Sequence, residues 1–316
     1  DSLENSYVGI AFENTITIGS GTFTAFGLRD ILIAKYDAAG NFLWAVQAGG
    51  SGNDNITAIS AQANGNIAIA GSFTGTATFG AVTLNSTINP ITLSPSADIF
   101  IAKLNSSGTV QWAKNGVAPY DDNASDVAFD SNGNVGLYIQ FSDTITFDIT
   151  HNNNINNAVA LLRFDTSGNE TWFVKWVGTS TQPTSIITDQ QGSFFATGNF
   201  TGTLNIFTTP FSTLNATYSN RYYILKFNSS GSLSWASSNS SDNNLSANDL
   251  VKGNDNNIYV IGEFRCRMND YADVYGQGVF NSVGYRDVFA ACYDSSGNWL
   301  WARQYGGPED DAAYQC

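Results

Sequence analysis

The amino-acid sequence predicts an all-β protein, and three observations carry that prediction. No stretch of the 316 residues shows helical periodicity. Short β-rich runs alternate with turn clusters such as DAAGN, NSSGT and ANGN, in which a late glycine supplies the left-handed backbone of a hairpin. Two sequence elements recur five times, about 60 to 68 residues apart. Repeated units of this length with four strands each are typical of the blades of a β-propeller.

The first recurring element runs through a turn to a tryptophan, and the second ends at a phenylalanine. Copies of the first lie at 30–45, 98–113, 158–173, 221–236 and 287–302. Copies of the second lie at 7–23, 56–73, 124–141, 184–200 and 247–264. A four-stranded sheet cannot cover both of its own faces, so we expect the units to stack on one another.

We predict five complete four-stranded antiparallel blades and the start of another, all in one domain covering 1–316. The expected blades are 1–48, 49–116, 117–177, 178–239 and 240–305. Strands are expected at 6–12, 15–20, 29–37 and 41–47 in the first, and at 55–62, 66–73, 97–104 and 109–115 in the second. The tail 306–316 repeats the opening of 49–59. Either the chain is a portion of a longer propeller, which we favour, or five blades close and the tail packs on the seam.

The repeats resemble the SBBP family of β-propeller repeats. The resemblance is carried by Asp98–Lys103 with Gly108 and Trp112–Ala113, by Gly49–Gly50 with Asp54, and by the segments 66–73 and 257–264. It implies a β-propeller typical of secreted and cell-surface bacterial proteins, many from Bacteroidota, which resemble cargo of the type IX secretion system. Blade three departs from the pattern because it lacks the Gly-Gly pair and its aspartate, and blade five carries Cys292 where the other blades have a basic residue.

Composition excludes some classes of partner. The chain has 13 Lys and Arg against 27 Asp and Glu, a net charge of −14, which is a poor match for nucleic acid. No apolar run approaches the length of a transmembrane helix. The N-terminus has no signal-peptide segment, so we expect that any export signal has been removed or was never present. Cys266, Cys292 and Cys316 fit neither a disulfide framework nor a zinc pattern. Buried free thiols are expected, with a Cys292–Cys316 bridge as the alternative.

Two sets of recurring side chains are expected to be structural. The repeat places one tryptophan in each blade, at Trp44, Trp112, Trp172, Trp235 and Trp301. Packing between adjacent blades explains these indoles, because tryptophan buries a large area in one rigid piece. A basic residue also recurs on the third strand, at Lys35, Lys103, Arg163 and Lys226. We expect these four to snorkel or to form structural pairs.

Acidic residues precede each innermost strand and form a candidate metal site. The set comprises Glu4, Asp54, Asp121, Asp122, Asp242, Asp310 and Asp311, of which Asp54, Asp122, Asp242 and Asp310 are the candidate ligands. Converging carboxylates suit Ca²⁺, which takes six to eight oxygen ligands. The alternative is that each acid caps its own turn and stays solvated, with no cofactor.

The connections between second and third strands vary most, and the last one departs furthest from the repeat. They lie at 21–28, 74–96, 142–156, 201–219 and 265–285. The last concentrates candidate ligand-binding residues: Arg265, Arg267, Asp270, Tyr271, Asp273, Tyr275 and Tyr285. Tyrosine and arginine are enriched in binding hot spots. Alternatively, the loop only covers a blade edge.

We therefore expect a secreted or cell-surface binding or adhesion module that recognises a surface glycan or protein, with outer-membrane or secretion-system components as further partners. His151 is the only histidine, and no catalytic spacing is present, so an enzyme is not expected. The alternatives are a structural spacer in a larger surface assembly and, third, a glycoside-acting enzyme built on paired carboxylates.

Overall fold

The computed structural model describes residues 1–152, 157–208, 212–238, 244–265, 272–273, 279–280 and 282–315; of 217–219, 272–273 and 279–280 it describes the backbone alone. Every regular element in these ranges is a β-strand, so the all-β prediction is confirmed. The chain forms two compact units, Asp1–Phe173 and Val174–Cys316.

The first unit contains the strands of three repeats. Those of the first repeat are β1 (Ser6–Phe12), β2 (Thr15–Ile18), β3 (Gly21–Thr24), β4 (Asp30–Tyr36) and β5 (Phe42–Gly50). Those of the second are β6 (Asp54–Ala61), β7 (Ile67–Phe73), β8 (Thr76–Phe79), β9 (Val82–Asn85), β10 (Asp98–Leu104) and β11 (Val110–Gly116). Those of the third are β12 (Asn123–Phe129), β13 (Val135–Phe141), β14 (Thr144–Thr146), β15 (Thr150–Asn152), β16 (Ala158–Phe164) and β17 (Glu170–Val177), which continues into the second unit.

The second repeat forms the predicted four-stranded antiparallel sheet, in the order β6-β7-β10-β11. Phe73 at the end of β7 lies opposite Asp54 on one neighbouring strand and Asp98 on the other. The third repeat follows the same order with β12-β13-β16-β17. In both, the connection between the second and third strands contains a separate short hairpin, β8–β9 or β14–β15.

The predicted strand order of the first repeat is wrong, because the segment 6–12 forms the second strand of the repeat and not the first. β1 pairs with β4 so that Phe12 faces Asp30, as Phe73 of β7 faces Asp98 of β10, and β1 is therefore a second strand. The expected strand 15–20 belongs instead to the hairpin β2–β3, the counterpart of β8–β9. Alternating Thr and Ile predict a strand but do not indicate which sheet it joins. Within the described residues, no strand pairs with the second edge of β1.

Residues 1–5 form the turn that precedes a second strand. The Asp1 ammonium donates to Asn5 O at 3.1 Å, and Asn5 N donates to Asp1 Oδ1 at 3.0 Å. Asp130 and Asn134 make the same two bonds before β13, at 2.9 and 3.0 Å. Because the aspartate side chain closes the loop over backbone amides, the sequences DSLEN and DSNGN adopt one turn.

The second unit contains the fourth and fifth repeats. Its strands are β18 (Ser180–Thr188), β19 (Phe194–Phe207), β20 (Ser212–Phe227), β21 (Leu233–Ser238), β22 (Asn244–Lys252), β23 (Ile258–Arg265), β24 (Ala272–Asp273), β25 (Val279–Phe280), β26 (Asp287–Tyr293) and β27 (Trp299–Tyr305). The fourth repeat pairs β18-β19-β20-β21, and the fifth pairs β22-β23-β26-β27. In the fourth repeat the connecting hairpin continues the long strands β19 and β20, with a shift of register after Phe200.

Neighbouring repeats within each unit share an apolar core. In the first unit, Ile33 of the first repeat packs in one cluster with Ile69 and Phe100 of the second. In the second unit, Phe195 of the fourth repeat belongs to one cluster with Val260 and Phe289 of the fifth. Removal of these faces from water is the main force that holds adjacent sheets together.

Candidate functional site

A cavity of about 400 Å³ opens in the second unit, at one end of the four-stranded sheet of the fifth repeat. It is lined by Asn220, Asn244, Ser246, Glu263, Phe264, Arg265, Tyr285 and Arg286, which we call the β23-end pocket. Antiparallel pairing explains the convergence. Asn244 at the start of β22 lies opposite Arg265 at the end of β23, and Phe264 lies opposite Asp287, the first residue of β26. Tyr285 and Arg286 immediately precede β26, so they lie at the same end of the sheet.

One side of the pocket is a wall of amide and hydroxyl groups. Asn220 N donates to Asn244 Oδ1 at 3.0 Å, and Asn220 Nδ2 donates to Ser246 Oγ at 2.7 Å. Phe264 is only 1% exposed and supplies the buried apolar part of the lining. Because the three polar side chains are tied to one another or to backbone, their remaining donors and acceptors are held in fixed positions.

The second side of the pocket is charged. Arg286 Nη1 lies 3.0 Å from Glu263 Oε2, and its Nε lies 3.6 Å from Asp310 Oδ2. Asn248 Nδ2 donates to the other oxygen of Glu263 at 3.3 Å. The charge of Arg286 is therefore balanced by carboxylates within the protein.

Arg265 is arranged differently from Arg286. Its guanidinium carbon lies 3.6 Å from the centroid of the Tyr285 ring, a close cation–π contact. Arg265 is exposed, and Tyr285 is 55% exposed. Among the described residues, no carboxylate forms an ion pair with the Arg265 guanidinium. Its N–H groups therefore have no carboxylate partner in the described part of the chain, and they are candidate donors to a ligand.

The structure brings together two of the residues predicted in the 265–285 loop, Arg265 and Tyr285. The backbone of Asp273 pairs with Val279 in the short ladder β24–β25. Arg267, Asp270, Tyr271 and Tyr275 lie outside the described residues. Sequence reasoning missed Asn220, Asn244, Ser246, Glu263 and Arg286. The signal that could have found Glu263 and Arg286 is the register that places the end of β23 beside the start of β26.

The predicted metal ligands occupy different environments. Asp54 is fully buried and Asp122 is 6% exposed, contrary to the alternative of solvated turn caps. Asp310 lies beside Arg286, and Asp242 lies outside the described residues. Among the residues that the structure describes, no group of three or more His, Cys, Asp or Glu side chains is placed to hold a metal ion.

Asp54 and Asp122 are instead each paired with an aspartate of the preceding repeat. A Cβ added to Gly49 would lie 2.7 Å from Asp54 Oδ2 and 3.0 Å from Asp30 Oδ1, so both carboxyls crowd one point. Burial, with Asp30 adding to it, raises the pKa of Asp54 to about 7. Burial, with Asp98 and Asp121 adding to it, raises the pKa of Asp122 to about 8. We call Asp30–Asp54 and Asp98–Asp122 the carboxyl pairs.

Indoles that end the recurring element reach across to the next repeat. Trp44 Nε1 donates to Ser106 O and Trp112 Nε1 to Thr166 O in the first unit, and Trp235 Nε1 donates to Ser295 O in the second, each at 3.2 Å. Trp172 takes the same place on β17. The ring of Trp301 on β27 lies 6.0 Å from that of Tyr259.

The recurring basic residues contact turn residues of their own repeat or of the next one. Lys35 lies 3.4 Å from Asp1, Lys103 donates to Gly133 O at 3.2 Å, Arg163 lies 3.2 Å from Asp130, and Lys226 lies 3.4 Å from Asp189. Cys292, which replaces them in the fifth repeat, is a buried free thiol, and Cys266 and Cys316 lie outside the described residues.

His151 lies in the first unit, in the connection between the second and third strands of the third repeat. Its Nε2 is 2.5 Å from Glu170 Oε1, and its ring stacks on Phe173 with 3.7 Å between centroids. In the part of the chain that the structure describes, there is no helix of a length and apolarity suited to crossing a membrane.

No family model matches the chain. Among curated proteins, it is 25% identical over 337 residues to an uncharacterized WD repeat-containing protein of Acanthamoeba polyphaga mimivirus. The match covers 85% of this chain and 24% of that protein, so the chain spans about a quarter of the length of its relative. Among solved structures, a member of the DUF4221 family from Bacteroides vulgatus is 10% identical with a TM-score of 0.38, over 97% of this chain and 88% of that one. The WD-repeat similarity and the repeated antiparallel sheets agree with a propeller-like repeat fold.

Proposed function

We propose that the chain is a secreted or cell-surface β-propeller of the SBBP type and that it binds a glycan or a protein through the β23-end pocket. The observation that carries this proposal is the pairing of an exposed guanidinium, Arg265, with a half-exposed tyrosine ring above a fixed polar wall. Such a pocket combines an aromatic surface with a few oriented polar groups, the usual composition of a ligand site.

The pocket residues differ from those at the same places in another repeat. By strand register, Glu263 and Arg265 correspond to Ser72 and Thr74 of the second repeat, because Phe264 corresponds to Phe73. Tyr285 and Arg286 likewise correspond to Ser96 and Ala97, which precede Asp98. A contact needed to build every blade would recur in each of them. Arg286 does recur, because it corresponds to Arg29 of the first repeat. Glu263, Arg265 and Tyr285 are therefore better explained by a role particular to the fifth repeat.

The tail supports the proposal that a further blade begins after the fifth. Asp311 N donates to Arg286 O at 2.9 Å, as Asp54 N donates to Arg29 O at 2.9 Å. Gly307 N donates to Asp311 Oδ2 at 2.7 Å, as Gly50 N donates to Asp54 Oδ2 at 2.7 Å. Residues 306–311 thus repeat the entry into β6, the first strand of the second repeat.

Tyr285→Ala is expected to weaken ligand binding at least tenfold, because it removes the ring on which Arg265 rests and part of the aromatic surface. The measurement is binding of the full chain to an array of glycans, followed by titration of the strongest hit. Tyr305→Ala is the matched control, since Tyr305 is similarly exposed at 58% but lies on β27 outside the pocket. A chain that bound neither glycan nor extracellular protein would instead fit the structural spacer.

A further inference from the structure

We propose that the ligand of the β23-end pocket is an acidic saccharide whose carboxylate is bound by Arg265. This inference rests on the proposed function, since it names the ligand class of the same pocket.

The first step is the geometry of Arg265. Stacking on Tyr285 at 3.6 Å covers one face of the guanidinium and leaves the N–H groups in its plane at the edge of the contact. A planar guanidinium fits a carboxylate through two parallel hydrogen bonds, and a stacked one is already oriented for them. Less side-chain entropy is then lost on binding than with a freely rotating cation.

The second step is the balance of charge. Glu263 and Asp310 both form ion pairs with Arg286, so their negative charges are balanced by Arg286 and not by Arg265. Among the described lining residues, Arg265 is then the positive charge without an anionic partner. In a chain whose net charge is −14, Arg265 is therefore a local positive charge that can attract an anionic group. A neutral saccharide offers Arg265 only neutral oxygen acceptors, whereas a carboxylate accepts stronger, charge-assisted hydrogen bonds.

The third step separates a saccharide from an acidic peptide. Asn220, Asn244 and Ser246 offer amides and a hydroxyl, which hydrogen-bond to the neighbouring hydroxyls of a sugar ring. A cavity of about 400 Å³ is in the range of small-molecule sites and holds roughly one or two such rings. β23 pairs with β22 on one side and β26 on the other, so its backbone is not open to the strand addition by which many peptides bind.

The test uses matched acidic and neutral probes on the full chain. Oligogalacturonate is compared with its methyl ester, and sialyllactose with lactose, by isothermal titration calorimetry at pH 7 in low salt. We expect the acidic member of at least one pair to bind ten times or more tightly than the neutral member. We also expect that preference to weaken as the salt concentration rises, because a charged contact is screened.

Arg265→Gln is expected to remove the preference, bringing the acidic probe to within about threefold of the neutral one. Arg265→Lys keeps the charge but loses the planar pair of donors, so it should retain only part of the preference. Arg303→Gln is the matched control, because Arg303 is an exposed arginine on β27 outside the pocket. Arg265 is itself exposed, and circular dichroism of each variant verifies that the strands remain folded.

The outcomes distinguish this inference from the proposed function. Equal binding of the acidic and neutral probes, or a preference that survives Arg265→Gln, overturns the acidic ligand while leaving a glycan-binding pocket. An oligoglutamate peptide is titrated in the same way, and its binding in the absence of any saccharide binding overturns the saccharide class. Binding of none of these probes by a folded wild-type chain overturns the acidic-saccharide class, whereas the proposed function is tested separately by the glycan array and the Tyr285→Ala comparison.

Discussion

Trp112→Ala is expected to lower the free energy of unfolding by about 4 kcal/mol, the range measured when a large buried aromatic side chain is truncated. The indole is 9% exposed, packs 6.1 Å from the Phe164 ring and donates to Thr166 O. It also fills the space over Gly168, where an added Cβ would lie 2.8 Å from the ring. Truncation therefore removes an apolar contact and a hydrogen bond between the second and third repeats. Urea denaturation followed by circular dichroism measures the change.

Trp301→Ala provides the comparison within the same repeat pattern. The described ring contacts of Trp301 are Tyr259 at 6.0 Å and the Arg303 guanidinium at 5.7 Å, so we expect a smaller loss of about 1–2 kcal/mol. A loss below 1 kcal/mol for Trp112→Ala would contradict the proposal that the indole stabilises the contact between the second and third repeats. Equal losses for the two variants would mean that Trp301 has a partner equivalent to the Thr166 turn.

The strands could be predicted from the sequence because the repeat marks each of them locally. The glycine of each third-to-fourth-strand turn lies at positive φ, for example 83° at Gly108 and 87° at Gly168, and the tryptophan follows a few residues later. The first repeat shows the limit of this reasoning. The segment 15–24 has a strand pattern, but whether it joins the main sheet or forms the hairpin β2–β3 depends on pairing with β4, which alternation alone does not encode.

The candidate site was predictable only in part, for a similar reason. Arg265 and Tyr285 could be found because the 265–285 segment departs from the composition of the repeat. Asn220 lies within β20 and Asn244 begins β22, and in the sequence both resemble the many other asparagines of the chain. They become pocket residues through the bond from Asn220 N to Asn244 Oδ1 at the end of the sheet. Neither local composition nor spacing specifies such a contact.

The carboxyl pairs follow the repeat in a way that the sequence alone did not reveal. Strand register aligns the third-strand residues that lie opposite the phenylalanine of the second strand, which are Asp30, Asp98 and Arg221. The bulge in the first strand aligns the residues three positions before the bulged residue, which are Asp54, Asp122 and Leu245. Aspartate occupies both positions in Asp30–Asp54 and Asp98–Asp122, whereas the corresponding residues of the fourth and fifth repeats are Arg221 and Leu245. Both positions change together, which indicates that two carboxyls at this place are tolerated as a pair.

A buried pair of carboxyls is stable when it holds a proton, because two negative charges in one dry site repel. Asp30 Oδ1, Asp54 Oδ1 and Asp122 Oδ2 are buried and accept no hydrogen bond from the described residues. A proton on one of these carboxyls lowers the repulsion within the pair and supplies a donor. The pKa values of Asp54 and Asp122 are raised, to about 7 and about 8, which agrees with a proton held at each pair.

Raising the pH from 5 to 8.5 is therefore expected to lower the free energy of unfolding by up to about 7 kcal/mol, since Asp54 contributes over about two pH units and Asp122 over about three, at about 1.4 kcal/mol per unit. Above about pH 4 the unfolded chain has released the protons of Asp54 and Asp122, but the folded chain still holds them. The free energy of unfolding is therefore highest near pH 5, and it falls as the pH rises through the pKa values of Asp54, about 7, and Asp122, about 8. The aspartates whose pKa is lowered by turn hydrogen bonds, such as Asp37 and Asp294, act below about pH 4 and leave this window unaffected. Denaturant titrations at half-unit steps of pH measure the slope.

The double variant Asp54→Asn, Asp122→Asn is expected to flatten this slope, because the amides cannot ionise and still accept the bonds from Gly50 N and Ser142 N. At pH 8.5 it should be more stable than the wild-type chain, and at pH 5 it should be close to it. Asp37→Asn is the control: it changes an exposed turn carboxylate and should leave the slope between pH 5 and 8.5 in place. Wild-type stability that stayed level or rose across this range would show that the pairs are ionised without cost in the folded protein, and the protonated pairing would then have to be abandoned.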